Sequence, residues 1–281
     1  MAGMPAPPAL IRASGTLLHV MSFNIRYDRA ASRPEEADHW PDRIAPLQDL
    51  LRREVPAVLG VQEALHHQLV VVEAALPPTH RMIGAGRDGG SRGEYSAIFY
   101  DSARLELIEW DQFWLSDTPR LIGSCTWGNG VPRIVTWGRF RDRVTEQELL
   151  LINTHFDHES DAARLRSVDA VLDLIRVFHP RLPTIVLGDF NADAGSCPAY
   201  RAFVESGVVQ DAWTTTSEHL TPDFGTFPRY GEPIEGGKRI DWILTSPDIE
   251  VHRAAVNTST LDGAYASDHL PVQALVELPH P

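Results

Sequence analysis

The sequence predicts an α/β protein in which two packed mixed β-sheets are flanked by helices. Strand-like and helix-like segments alternate along the whole chain, with no internal repeat and no stretch of linker composition. Within that pattern, several strand-like segments follow one another directly, which a strictly alternating parallel βαβ protein would not show. The length of 281 residues, 43% of them hydrophobic, suits one large domain or two small ones with a substantial core.

Residues 17–23 read as a first strand closing at Asn24. Residues 40–55 carry Ile44, Leu47, Leu50 and Leu51 at helical spacing, with Pro41 in the first turn. A short buried strand follows at 57–61 and ends at Gln62-Glu63. A helix at 65–76 is stopped by Pro77-Pro78. Residues 96–100, 105–110, 133–141 and 148–154 form a predicted β-meander. The strongest helical pattern spans 162–177, with Leu165, Val168, Leu172 and Ile175 on one stripe. A strand at 184–187, a short helix around 200–204 and closing strands at 239–245 and 270–278 complete the reading.

Charge narrows the function. Asp and Glu number 38 against 25 Lys and Arg, a formal net charge of −13. That opposes a grip on extended duplex DNA through its phosphates and favours a small or short substrate. No apolar run approaches the roughly 20 residues of a membrane helix. Cys125 and Cys197 show no metal-type spacing, and a single bridge between them is allowed but not required. Residues 1–15 lack the apolar core of a secretory signal. They are expected to be a flexible start to a cytoplasmic protein whose single catalytic domain spans 16–281. The oligomeric state stays open.

The informative residues punctuate strand ends: Asn24, Glu63, His155, Asp157, Asp189, Asn191, Asp241, Asp268 and His269. One such residue alone is an ordinary turn former. Acid, amide and imidazole groups at six strand ends point further, to a shared cleft.

Ser22-Phe23-Asn24, Val61-Gln62-Glu63, Gly188-Asp189-Phe190-Asn191 and Ser267-Asp268-His269 stand in the order found in the endonuclease/exonuclease/phosphatase (DNase I-like) superfamily, which the chain resembles from about residue 20 to 275. The resemblance implies a four-layer α/β/β/α sandwich and metal-dependent hydrolysis of phosphate esters, with Mg²⁺ as cofactor and Mn²⁺ as a substitute. It also implies the roles. Glu63 would be the main metal ligand, with Asn24 beside it and Asp268 as a second acid near the ion. Asp189 would orient or deprotonate the attacking water, and Asn191, on the same face of an extended segment, would hold a phosphate oxygen. His269, charged by Asp241, would stabilise the phosphoryl oxygens. His155 would serve the leaving-group side, with Glu94 as its carboxylate partner. Such chemistry needs these residue types because a phosphate ester repels an approaching hydroxide unless cations offset its charge.

One departure stands out. Abasic-site endonucleases carry an acid two residues after the first asparagine, where this chain has Arg26. This weakens a repair activity, favours one main metal site, and leaves Arg26 to contact phosphate or pair with Glu63. Arg87, Arg92, Trp127 and Arg133 are further substrate-binding candidates, since arginine forks phosphate and aromatic rings stack bases or sugars.

Two motifs compete. Residues 84–89 satisfy GxGxxG, and residues 89–93 satisfy GxSxG around Ser91, with Asp241 and His269 following in serine-esterase order. Each motif requires a helix directly after it, whereas a strand is predicted there. A catalytically inert binding module on the same fold is a third reading, opposed by the retention of every acid, amide and imidazole named.

Overall fold

A computed structural model describes residues 8–178 and 181–279. In chain order the elements are β1 (Leu18–Asn24), α1 (Trp40–Glu54), β2 (Val58–Ala64), α2 (His66–Ala75), β3 (His80–Ile83), β4 (Tyr95–Asp101), β5 (Leu105–Trp114), β6 (Ile134–Asp142), β7 (Glu148–His155), α3 (Asp161–Val177), β8 (Thr184–Asp189), α4 (Pro198–Glu205), β9 (Gln210–Asp211), α5 (Ala212–Thr215), β10 (Glu218–His219), β11 (Asp241–Thr245), β12 (Glu250–Val256) and β13 (Val272–Glu277). Among the described residues they form one sheet in the order β10-β12-β13-β1-β2-β4-β3 and a second in the order β5-β6-β7-β8-β11-β9. Both sheets are mixed. β1–β2 and β7–β8 run parallel, whereas β1–β13 and β8–β11 run antiparallel.

The packing shows four layers, as expected. Leu18, Val20, Val58 and Ile98 of the first sheet meet Phe140, Leu149, Leu151, Ile185 and Leu187 of the second. On the first sheet's other face, Met21, Phe23, Leu59 and Val61 pack on Leu47, Leu50 and Leu51 of α1 and on Leu69 and Val72 of α2. The second sheet mirrors this, with Leu150, Ile152, Val186 and Leu244 against α3 and α4. Successive residues of β7 therefore point alternately to the other sheet and to α3. With both faces buried, its residues 149–152 form an unbroken apolar run.

A buried amide of β7 bridges the sheets. Asn153 of β7 is fully buried and donates through Nδ2 to the carbonyls of Val61 (2.9 Å) and Ala97 (2.8 Å), while its Oδ1 accepts from Gln62 Nε2 (2.7 Å). A buried carbonyl left unsatisfied costs about 1–3 kcal/mol, so this amide fixes how the sheets sit on each other.

Several expectations shift. β12 is absent from the sequence reading, because a strand with one half-exposed face carries little hydrophobic period. The strand expected at 239–245 begins at Asp241. The expected flexible start splits: residues 1–7 lie outside the described residues, whereas Ile11 is buried and the Leu10 N–H donates to the Glu54 carboxylate at 3.0 Å. Cys125 and Cys197 are both free thiols. No helix among the described residues is long and apolar enough to cross a membrane.

Candidate active site

Register alone gathers the polar strand ends. Asn24 pairs with Gln62 across β1–β2, His155 with Asp189 across β7–β8, and Asp241 with Asp189 across β11–β8. His269 lies just ahead of β13, which runs antiparallel to β1. All these positions fall at one edge of the sandwich, where the two sheets face each other. His155, Asp189 and His269, with Glu63, Asn191 and Asp268, line a cavity of about 560 Å³ that has Arg26, Tyr27, Arg87, Arg133, Phe227 and Arg229 on its walls.

The backbone is bent where the side chains converge. Among the described non-glycine residues with positive φ are Arg26 (55°), Glu63 (61°), Asn191 (50°), Arg229 (55°) and Tyr230 (65°), all in this region. Glu63 sits where the β2–β4 register shifts, within β2 rather than after it. Left-handed backbone in L-residues costs energy and persists where the surroundings enforce it. Here Arg43 does so on one side. Its buried guanidinium donates to the carbonyls of Ile25 (2.7 Å), Arg26 (3.2 Å), Tyr27 (3.2 Å) and Ala266 (3.3 Å).

Asn24 is the hub of the cleft. Its Nδ2 donates to Glu63 Oε1 (3.0 Å) and to Asp189 Oδ2 (2.9 Å), and lies 3.4 Å from His269 Nε2. The His269 Nδ1–H donates to Asp241 Oδ2 at 2.9 Å. Burial alone would lower the His269 pKa, but Asp241 and Asp189 outweigh it and push it up to about 10. Burial and the neighbouring Asp241 charge push Asp189 up to about 7, against the pull of His269 and Asn24. Burial opposes ionisation of Glu63 too, yet His269, Asn24, Arg26 and the Tyr27 N–H hold its carboxyl below the usual range. His155 is the opposite case: burial, then the cation Arg133, push it well below 6.5. Its ring is therefore neutral, with Nε2 accepting from Asn191 Nδ2 at 2.8 Å.

These shifts give a direct test. In metal-free protein the His269 ring should stay doubly protonated at pH 8, and Asp241→Asn should bring its titration down. Ring-nitrogen NMR shifts read this, and a titration that ignores Asp241→Asn would refute the pairing. Stability carries the same sign. The gain from the raised pKa is complete below pH 6.5 and disappears as pH climbs through about 10, so the wild-type advantage over the variant shrinks across that window.

Other expectations change. Glu94 does not pair with His155; it forms a two-pronged ion pair with Arg87 (2.7 and 2.8 Å), a closer and stronger partner. Asn191 is not on an extended segment, since its left-handed backbone turns the amide onto His155 and the Phe156 carbonyl. Arg26 does pair with Glu63, at 3.5 Å. Arg133 is buried in the cavity wall, 3.1 Å from His158 Nδ1. Trp127 and Arg92 are not among the cavity-lining residues: the indole N–H donates to Asp117 (2.9 Å), and the Arg92 Nε–H contacts the Gly89 carbonyl (3.5 Å). The loop holding Ser91 and both glycine motifs runs from β3 straight into β4, without the helix either motif needs. The sequence reading missed Tyr27, Phe227 and Arg229, which lie on segments with no period to flag them.

The donor set suits a hard divalent cation. Oxygen atoms of Glu63 and Asp189 and a nitrogen of His155 lie within 4.8 Å of one another, and carboxylate oxygens are the ligands such ions prefer. The other buried group, Asp189, Asp241 and His269, is already closed by the His269–Asp241 hydrogen bond, and a protonated ring cannot ligate.

A buried carboxyl and a charged imidazole thus meet in one cleft. The chain belongs to the endonuclease/exonuclease/phosphatase family, whose profile matches residues 21–269. Among solved structures it is similar to a mannosyl-6-phosphatase of Bacteroides thetaiotaomicron, at 33% identity and a TM-score of 0.85, covering 92% of this chain and 99% of that one. An endonuclease/exonuclease/phosphatase of Bacteroides vulgatus matches at 30% identity and 0.86, covering 94% and 99%. The human nocturnin catalytic domain, at 16% identity and 0.69 over 93% of each chain, shares the fold. A comparison with curated proteins gives no match.

Proposed function

We propose that the chain is a Mg²⁺-dependent hydrolase of small phosphate esters, able to use Mn²⁺, with its catalytic domain spanning 16–281. The observation that carries this is the meeting of Glu63, Asp189 and His269 in one cavity walled by Arg26, Arg87, Arg133 and Arg229. A volume of about 560 Å³ suits a small ligand, and the acid excess of the chain disfavours extended duplex DNA. Sugar phosphates are the first class to assay, since the similar Bacteroides thetaiotaomicron protein is a mannosyl-6-phosphatase. We place the protein in the cytoplasm, where its two free thiols would stay reduced.

Glu63 would hold the ion, with Asn24 and Asp268 beside it and with ligand atoms of Asp189 and His155 within 4.8 Å facing the same position. When bound, Mg²⁺ offsets negative charge on the phosphoryl oxygens. Asp189 orients the attacking water and takes its proton, a task for which a pKa near 7 is well matched. His269, kept as imidazolium by Asp241, donates to a phosphoryl oxygen as charge builds there. Asn191 and neutral His155, hydrogen-bonded to each other, serve the oxygens on the leaving-group side. Arg133 brings a positive charge to the same wall. It has no carboxylate within 4.0 Å among the described residues, and its Nε–H is unpaired.

The test is a panel of sugar phosphates, nucleotides, phosphodiesters and short oligonucleotides, each assayed with Mg²⁺, Mn²⁺ or neither. Ion-dependent turnover of small monoesters is expected. Turnover confined to long oligonucleotides would overturn the substrate class, and equal rates without any ion would overturn the metal dependence.

A further inference from the structure

Asp241 and His269 reach each other from different sheets. Asp241 opens β11 and His269 stands just ahead of β13, so among the described residues no strand ladder joins the two. Yet both carboxylate oxygens of Asp241 lie close to one ring nitrogen, His269 Nδ1, at 2.9 and 3.2 Å. The His269 N–H donates to Ser267 Oγ (3.2 Å), whose hydroxyl donates to the Asn24 carbonyl (2.7 Å). That anchors the imidazole to β1 and leaves its spacing from Asp241 to be set elsewhere.

Thr226 stands where that spacing can be set. It lies on the irregular segment between β10 and β11 and is fully buried. Its hydroxyl oxygen accepts from the N–H groups of Ile240 (3.0 Å) and Asp241 (3.1 Å). Its carbonyl accepts from the N–H of Leu270 (2.8 Å), the residue after His269, and its own N–H donates to the Lys238 carbonyl (3.0 Å). All but the last of these bonds end on Asp241 or on a residue adjoining Asp241 or His269. The close approach depends on the preceding residue. A Cβ on Gly225 would stand 2.9 Å from the Gly237 carbonyl carbon, so glycine there lets the segment lie against the start of β11. On the following residue, the Phe227 ring lies 4.5 Å from the His269 ring.

A threonine suits such a task. Its β-branched side chain is stiff about χ1, which holds the hydroxyl oxygen in place. Without that oxygen the buried Asp241 N–H loses its acceptor, and the start of β11 must shift to find another. Hydrogen bonds weaken steeply as they bend, so a small shift there reaches the carboxylate–imidazole contact. Thr226 is not among the residues lining the cavity, so it acts through the pair and not on the substrate.

We propose that Thr226 is the positioning residue of the Asp241–His269 pair: its hydroxyl fixes the main chain of Asp241 while its carbonyl fixes that of Leu270. One side chain thereby sets the separation of two groups that the sheets leave unconnected. The inference rests on the hydrolase reading above and adds the residue that keeps its charged histidine in place.

At one neutral pH, with Mg²⁺ present, proton NMR reads the hydrogen on His269 Nδ1 as a resolved downfield line, assigned by its loss in His269→Gln. Thr226→Ser should keep the line and the turnover of the wild type. Thr226→Ala, which differs from it by one oxygen, should lose or broaden the line through exchange with solvent. Its kcat should fall about ten- to a hundredfold at nearly unchanged KM, the scale of a misplaced catalytic group. Thr226→Val tests the same loss without leaving a void. As a control, Ser167→Ala removes a buried hydroxyl of α3 that donates to the Ala163 carbonyl (2.7 Å), and should lower the melting temperature while line and kcat stay unchanged.

A folded Thr226→Ala or Thr226→Val that keeps the wild-type line overturns the proposal, as does loss of the line in Ser167→Ala or its absence from the wild type. Should neither variant fold, Thr226→Cys, whose sulfur is a weak acceptor, decides on the same readouts. Loss of the line with turnover unchanged upholds the positioning and removes the charged histidine from the proposed hydrolysis instead.

Discussion

Asp189→Ala is expected to lower turnover about a thousandfold or more against any ester the wild type hydrolyses, with the fold intact. The carboxyl ends β8, is fully buried, and touches groups from three other strands or loops: Asn24 at 2.9 Å, His155 at 3.4 Å and His269 at 3.7 Å. Its loss would remove the proposed proton acceptor for water and one of the charges that keep His269 protonated. A thousandfold loss corresponds to about 4 kcal/mol of transition-state stabilisation. Asp189→Asn keeps the shape and should fall nearly as far, which separates charge from packing. Steady-state kinetics with a thermal melt on the same samples measures both effects. Near-wild-type turnover in either variant would remove Asp189 from its proposed role.

The melt has its own expected sign. Asp189 is raised from 3.8 to about 7, so the folded state favours its neutral form. Its contribution is complete below pH 3.8 and lost as pH rises through about 7.

Chelation has the second large effect. Dialysis against EDTA should take hydrolysis to background, and Mg²⁺ should restore it in the wild type but not in Glu63→Gln. Ser91→Ala should leave the rate unchanged in every condition, because Ser91 lies in a turn that feeds a strand. Hydrolysis that survives chelation yet vanishes in Ser91→Ala would reverse the assignment and make the chain an esterase.

Much of this site was legible in the sequence because strand-end residues inherit their positions from the strands. Asn24, His155, Asp189 and Asp241 follow or start apolar runs, and sheet register then brings them together. Partner choice was less legible. Glu94 was expected on His155, yet Arg87, seven residues earlier on the same loop, offers a guanidinium at 2.7 Å. Local competition of that kind is invisible until the loop is folded.

Backbone conformation was the other blind spot. The extended reading of Asn191 fails because its φ is 50°, a region asparagine tolerates better than most residues. Phe227, Arg229 and Tyr230 arrive on an irregular segment between β10 and β11, where neither a two-residue nor a 3.6-residue period exists to mark an inward face. Trp127 misled for a related reason. Aromatic and basic residues close in sequence suggested a pocket, but its indole N–H turns to Asp117.

Arg43 gives this architecture an evolutionary consequence. Each hydrogen bond it makes ends on a main-chain oxygen: those of Ile25, Arg26, Tyr27, Asp38 and Ala266. The clasp is thus indifferent to which side chains those five positions carry. Homologues could exchange the loop's specificity-bearing residues freely while the same arginine keeps the loop's path, so divergence in ligand preference need not wait for compensating changes in the scaffold.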